Sequence, residues 1–390
     1  PLQAMAAEAD SEELLARWVR ALPKVELHIH LDGSFDPPLL WEAAQRNREA
    51  LPEEVQSAVT RKPMPVRSEV DNCRNLEDFR RLIVCKGKGS LQAMLDCFSR
   101  FLPAVRGDLK TLEEIGARFV AAQAAQGIVY TEVRYSPHLL TGGDIFGPGQ
   151  VVDPEPAFAA VTRGLRKGCK AHGVVVNQII CCISFQPAWS LQCVEMAAKH
   201  RKDFPCAVVG VDVAAGEVGD DPKGHEDAFA LAKELGLKIT VHAGEVGGPE
   251  NVRHAVFDFG AHRIGHGYAM TRDAPGLAEI VREGAHFEVC PTSSLETGAW
   301  TSKEGVPNWP QHPLLTMLEA GAKVSINSDD PTVFDTSLSE ELLLCIRKMK
   351  LTREQVVQMT LSAVESAFGD DEELTRIRQR IEQFAANGSA

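Results

Sequence analysis

The sequence predicts an α/β chain folded as a TIM-type (β/α)8 barrel, with extra helices at the N-terminus, after strand 1 and at the C-terminus. Three observations carry that expectation. Eight short apolar, β-branched runs recur along the 390 residues. Helix-period segments separate most of them, and strand–helix alternation argues for a parallel sheet. The chemically reactive side chains collect where those runs end, and the C-terminal ends of barrel strands are where such folds build their sites.

The elements follow in order. SEELLARWVRAL (11–22) reads as a leading helix. KVELHIHL (24–31) is the first strand. Read with a period of two, Val25, Leu27, Ile29 and Leu31 share one face, and Glu26, His28, His30 and Asp32 share the other. Residues 34–110 form a long helical insertion that suits a lid over the strand ends, and within it RKPMPVRSEVDNC (61–73) is polar, carries two prolines and reads as a loop. The remaining strands are GIVYTEVRYSP (127–137), VVVNQIICCIS (174–184), AVVGVDVAA (207–215), LKITVHAGE (237–245), RIGHGY (263–268), HFEVCPTS (286–293) and KVSINSDD (323–330). Helical stretches between them include 112–126, 226–235 and 250–259, and two more follow the last strand at 351–368 and 371–385. Eight repeats favour a closed barrel over an open sheet. No linker divides the chain, so residues 1–390 are expected to form a single domain. Residues 1–10, which begin PLQAM, are expected to be disordered or foreign to the natural chain.

Bulk composition narrows the partners. Hydrophobic content of 44% and charged content of 24% are those of an ordinary globular protein with a large core. A net charge of −13 argues against nucleic acid and anionic membranes, which demand a basic face. The ten cysteines are scattered through apolar runs with no C-x-x-C pair, which suits reduced thiols in the cytoplasm. The sequence shows neither a secretory signal nor an apolar run of membrane-spanning length.

The first strand poses the chemical question. Side chains at i and i+2 share a face, with Cα atoms roughly 6.5 Å apart. Two imidazoles so placed, His28 and His30, can converge on one metal ion. A third histidine and a carboxylate would complete a catalytic site with a position open for water. His242 in HAGE and Asp329 in SDDP are the natural candidates, with Glu245, His266 and Asp330 at the same rim. Each has a bland alternative when taken alone. H-x-H can be two bonded interior histidines, SDDP can be a turn or helix cap, and Glu245 can cap a helix. Together they are costly to bury unless a function requires them. His172, His200, His225, His254 and His312 read as surface residues, His138 is open, and His262 and His286 fall at the opposite end of the barrel.

The motifs PKVELHIHLDG, EVRYSPHLL, TVHAGEVG, RIGHGY, CPTSS, TGAW and SINSDDP, spread from about Pro23 to about Phe368, resemble the adenosine deaminase family of zinc-dependent amidohydrolases. The resemblance implies one Zn2+ per chain, held by His28, His30, His242 and Asp329. It implies Glu245 as the acid at purine N1, and His266 and Asp330 as the pair that handles the water. It places Asp32 and His30 near the sugar, an N–H of Ala215–Gly216 near purine N3, and Leu91, Met94, Leu95 and Phe98 on the pocket's apolar side. The helical spacing of those four also suits plain core.

The implied activity is hydrolytic deamination of adenosine and 2′-deoxyadenosine to inosine and 2′-deoxyinosine, with a purine nucleoside as the partner and a monomer as the working unit. Alternatives on the same scaffold are deamination of adenine, AMP or N6-methyl-AMP, or a non-catalytic nucleoside-binding relative. The chain shows no evident Arg/Lys cluster near the strand ends, which speaks against a phosphorylated substrate. Three departures stand out. Alanine occupies position 215 where the family has glycine, Ser184-Phe185 replaces the Arg-His of close vertebrate relatives, and the insertion around 61–89 is longer.

Overall fold

The computed structural model describes residues 2–56, 62–87, 89–143, 145–147, 150–217, 223–301 and 307–387. Eight parallel strands follow one another in chain order around a barrel. They are β1 (Lys24–His30), β2 (Ile128–Tyr135), β3 (Val175–Ile183), β4 (Val208–Ala214), β5 (Lys238–Ala243), β6 (Arg263–His266), β7 (His286–Val289) and β8 (Lys323–Ile326). All eight runs read as strands in the sequence are strands, and the barrel with its added helices is the fold observed. Most strand residues are buried, as expected for a parallel sheet covered on both faces. Register sets the strand ends level. His30 lies beside Arg134, and Ala243 lies beside His266.

The barrel closes at a seam of irregular pairing. Ile29 and Asp329 form an isolated parallel bridge in place of a β1–β8 ladder. Asp329 N donates to His28 O at 3.1 Å, and His30 N donates to Asp329 O at 2.9 Å. Asn327 fills the gap below. Its Oδ1 accepts from Leu27 N at 2.9 Å and His28 N at 3.1 Å. Buried N–H groups need such partners, so one amide side chain does the work of a missing strand pair.

Helices wrap the barrel, among them Leu109–Ala125, Glu155–His172, Lys223–Glu234, Pro249–Phe257 and Arg353–Ser366. Their starts carry side-chain caps where the sequence offers them. Asp108 accepts from Thr111 N, and Thr352 with Gln355 forms a reciprocal capping box.

The insertion after β1 contains helices Pro37–Arg46, Arg67–Asp71, Leu76–Ile83 and Leu91–Phe101. The last is capped by Ser90, whose Oγ accepts from Ala93 N, and it brings its apolar face to the cavity over the strand ends.

One expectation is corrected. The segment 61–73 is not all loop. Pro63–Pro65 pairs antiparallel with Glu54–Gln56, and Arg67–Asp71 is helical. Prolines are tolerated there because a two-stranded hairpin has only edges. Helix Leu2–Ala21 accounts for the leading helix expected at 11–22.

The seam yields a stability prediction. Asn327→Ala strands two buried N–H groups and should destabilise the fold by about 2–4 kcal/mol. Denaturant unfolding checks this, and a change below about 0.5 kcal/mol would show that the seam does not depend on Asn327.

Candidate active site

His28 and His30 project from β1, His242 from β5, and Asp329 from the closing seam. One donor atom from each of these four residues lies within 4.8 Å of all the others. His28 Nε2 is 3.1 Å and His30 Nε2 3.4 Å from Asp329 Oδ1, and the Nε2 atoms of His30 and His242 are 3.2 Å apart. A cation bonded at about 2.0–2.1 Å to four tetrahedral donors would hold them about 3.3–3.4 Å apart. The spacing therefore fits a metal ion.

The outer nitrogens reinforce that fit. His28 Nδ1 is held by Glu288 at 2.8 Å, and His242 Nδ1 is held by Asp212 at 3.0 Å. Those contacts place the ring protons on Nδ1 and leave Nε2 as a lone pair facing inward. The inward lone pair of His242 lies 3.2 Å from His30 Nε2, a spacing that a shared cation accounts for.

The outer carboxylates are themselves held by arginines. Arg134 reaches Asp212 at 2.8 Å and Glu288 at 2.7 Å, and Arg263 reaches Glu132 at 2.6 Å and Glu288 at 2.5 Å. All of these groups are buried. Burial pushes Glu288 upward, but Arg134, Arg263 and His28 outweigh it and hold the carboxyl well below the usual range. Burial likewise opposes ionisation of Asp329, and His28, His266 and His30 overcome it.

A cavity of about 830 Å3 opens over the cluster. Every sequence-predicted site residue except His28 lines it, including Asp32, Ala215, Gly216, Leu91, Met94, Leu95 and Phe98. His28 lies beneath, wholly buried. Glu245 stands beside the cluster, with Oε2 3.7 Å from His266 Nε2. Burial, reinforced by Asp329 and Glu217, pushes its carboxyl up to about 8. Burial holds His266 well below the usual imidazole range, so the ring is neutral at pH 7. His266 Nε2 is also 3.9 Å from Asp329 Oδ2. Asp32 is raised to about 7 by burial, and Asp330 is raised by burial and by Asp329. Asp330 packs against the backbone of Gly33, where a Cβ would lie 1.8 Å from Oδ1.

Backbone strain concentrates here. Ala215, His266 and Asp329 line the cavity with φ of 64°, 66° and 62°. Non-glycine residues in the left-handed region cost about 1–3 kcal/mol each, and such costs collect at functional sites. The alanine at 215 takes on its own the conformation a glycine adopts freely. Ser184 Oγ donates to Ala215 O at 2.9 Å and steadies that turn, while Phe185 lines the cavity.

The sequence reading missed the groups that hold the site. Asp212, Glu288, Arg134 and Asn327 carried a signal in the form of polar residues inside otherwise apolar strands or their ends. Glu217 was also missed. Its carboxylate accepts from Gly244 N, Val246 N and Gly247 N at 2.9, 2.7 and 2.9 Å, fixing the loop that carries Glu245. His225 and His312 are not surface residues. Both are buried, bonded to Ser190 and Ser294 respectively, because their helices and loops pack onto neighbours. His138 is buried and stacks on Trp189 with centroids 4.9 Å apart, away from the donor cluster.

The family model described as Adenosine deaminase matches residues 23–384. The chain belongs to the adenosine deaminase family. The adenosine deaminase of Mus musculus is 33% identical over 374 residues, covering 92% of this chain and 96% of that one. Among solved structures, the adenine deaminase of Arthrobacter aurescens matches with a TM-score of 0.76 at 21% identity, covering 94% of this chain and all of that one, 100%. An amidohydrolase from Burkhoderia ambifaria, solved with bound Zn, matches with a TM-score of 0.73 at 23% identity over 95% and 94% of the two chains. These two likenesses establish the shared barrel. Family membership makes the chain a deaminating hydrolase, and its donor cluster is the group that can hold a metal.

Supporting carboxylates tune metal affinity without touching the ion. Asp212→Asn should weaken metal binding by about 10–100-fold while leaving the four donors in place. Competition with a chelator measures this, and unchanged affinity would remove Asp212 from that role.

Proposed function

We propose that the chain hydrolyses adenosine and 2′-deoxyadenosine to inosine or 2′-deoxyinosine and ammonia. The observation that carries this reading is a buried carboxylic acid, Glu245, held beside a four-donor cluster on the wall of a cavity sized for a nucleoside. His28, His30, His242 and Asp329 would hold one zinc ion per chain, since three imidazoles and a carboxylate suit zinc. When bound, the ion supplies a water of lowered pKa.

The chain's own residues do the rest. Carbon 6 of adenine is a poor electrophile until N1 takes a proton, and Glu245 donates that proton. His266, neutral and with its Nε2 facing the cluster, accepts the proton of the attacking water. Asp330 orients that water. C6 gains the hydroxyl oxygen, the amino group takes the proton held by His266 and leaves as ammonia, and the C6 hydroxyl gives its proton to Glu245 as the carbonyl forms. Asp32 and His30 receive the sugar, a backbone N–H of Ala215–Gly216 meets N3, and Leu91, Met94, Leu95 and Phe98 keep bulk water off the base. The insertion 34–110 acts as the lid.

Every proposed group comes from one chain, which supports a monomer as the working unit. The ten free cysteines suit a reducing cytoplasm. Among the described residues, no helix is long and apolar enough to cross a membrane.

Glu245→Gln should retain metal and lose about 10²–10⁴-fold in turnover of adenosine, followed as ammonia release. Near-wild-type turnover with metal in place would remove Glu245 as the acid.

The pH dependence has a defined sign. The protonated carboxyl is the active form, so kcat/KM falls as pH rises through the Glu245 value, about 8 before the ion's own charge lowers it. An alkaline limb at or below about pH 8 is expected, and a rate still rising through pH 9 would contradict the assignment.

A further inference from the structure

Arg106 is the one lysine or arginine among the described residues that line the cavity. It follows the turn Leu102–Ala104 at the end of helix Leu91–Phe101. Its backbone is pinned, because Gly107 N donates to Leu140 O at 2.9 Å. Its Nε donates to Leu139 O at 2.9 Å, and its guanidinium sits 5.9 Å from the centre of the Phe146 ring.

Those contacts orient the fork and use one of its five N–H donors. Among the described residues, neither terminal nitrogen has a protein partner and no carboxylate pairs with the group. Burial pushes the guanidinium down to about 10. The other arginines around the barrel are treated differently. Arg134 and Arg263 each bind two carboxylates, and Arg118 binds Asp36 and Glu114. Arg106 is half-buried, and a ligand entering the cavity can supply the opposing charge that its free terminal nitrogens meet nowhere else among the described residues.

Resting on the nucleoside reading above, we propose that Arg106 forms an anion subsite in the substrate cavity, which takes a phosphate monoester carried on the sugar of an adenine nucleoside. The planar fork suits two phosphate oxygens at once. At about 830 Å3 the cavity lies toward the upper end of the range for small-molecule sites, leaving room for a substituent beyond the nucleoside. The subsite makes adenine mononucleotides ligands of the same cavity that binds adenosine.

Competition tests this. Inhibition of adenosine deamination by 5′-AMP and by 3′-AMP is measured for the full chain with metal loaded, for Arg106→Gln and for Arg106→Lys. The expected result is that at least one isomer competes with adenosine. Its Ki rises at least tenfold more than the adenosine KM does in R106Q, and R106K, which keeps the charge without the fork, falls between. The isomer affected tells whether the 5′- or the 3′-oxygen faces Arg106. If neither isomer competes, or if R106Q moves Ki and KM by the same factor, Arg106 only props Leu139 and the subsite is overturned. Failure of the underlying reading looks different, since the wild-type protein would then release no ammonia from adenosine. Nucleotide binding would in that case be read by equilibrium dialysis of 5′-AMP and 3′-AMP, where loss in R106Q supports the subsite and equal binding overturns it.

Discussion

The seam between the first and last strands is the constraint on which the rest depends. The barrel closes through backbone bonds of His28, His30 and Asp329, and the side chains of the same three residues supply three of the four donors. Closing the fold and assembling the site are therefore one event. Asp329 sits in the left-handed region because the chain must turn there to bond both ways to β1 while aiming its carboxylate inward. Strain of that kind persists only when surrounding contacts over-determine it. Asn327, accepting from two successive N–H groups of β1, is one such contact.

From the seam, charge is arranged in layers. Imidazoles and Asp329 face the centre, Asp212 and Glu288 hold the imidazoles from behind, and Arg134 and Arg263 hold those carboxylates. Each layer neutralises the next, which is how so many ionisable groups can be buried in one barrel. Glu245 lies outside this pairing. Its loop is fixed by Glu217 through backbone N–H groups, and its own carboxyl meets burial and negative neighbours. The same interior thus keeps Asp329 ionised and Glu245 protonated, two carboxyls with opposite tasks.

The barrel was legible because strands buried on both faces read as short apolar runs, and eight of them alternate with helices. The donor set was legible because H-x-H on a strand puts two rings on one face. Asp212, Glu288 and Arg134 were harder to assign. A single charged residue within an apolar strand announces burial but not its partner, and the partners lie far apart in sequence, as with Arg134 and Glu288. Arg106 was missed because no periodicity marks a loop residue whose importance lies in the space it faces. His225 and His312 were misplaced for a related reason, since burial of a loop histidine depends on what packs above it.

The most direct test of the whole account is a metal titration of function. The ion is stripped with a chelator, zinc is returned in steps, and ammonia release from adenosine is followed against metal bound. The account predicts no turnover in the stripped protein and a linear recovery that saturates at about one zinc per chain, as a single three-histidine, one-carboxylate site requires. Full turnover by the metal-free protein, or recovery that needs a second ion, would contradict it.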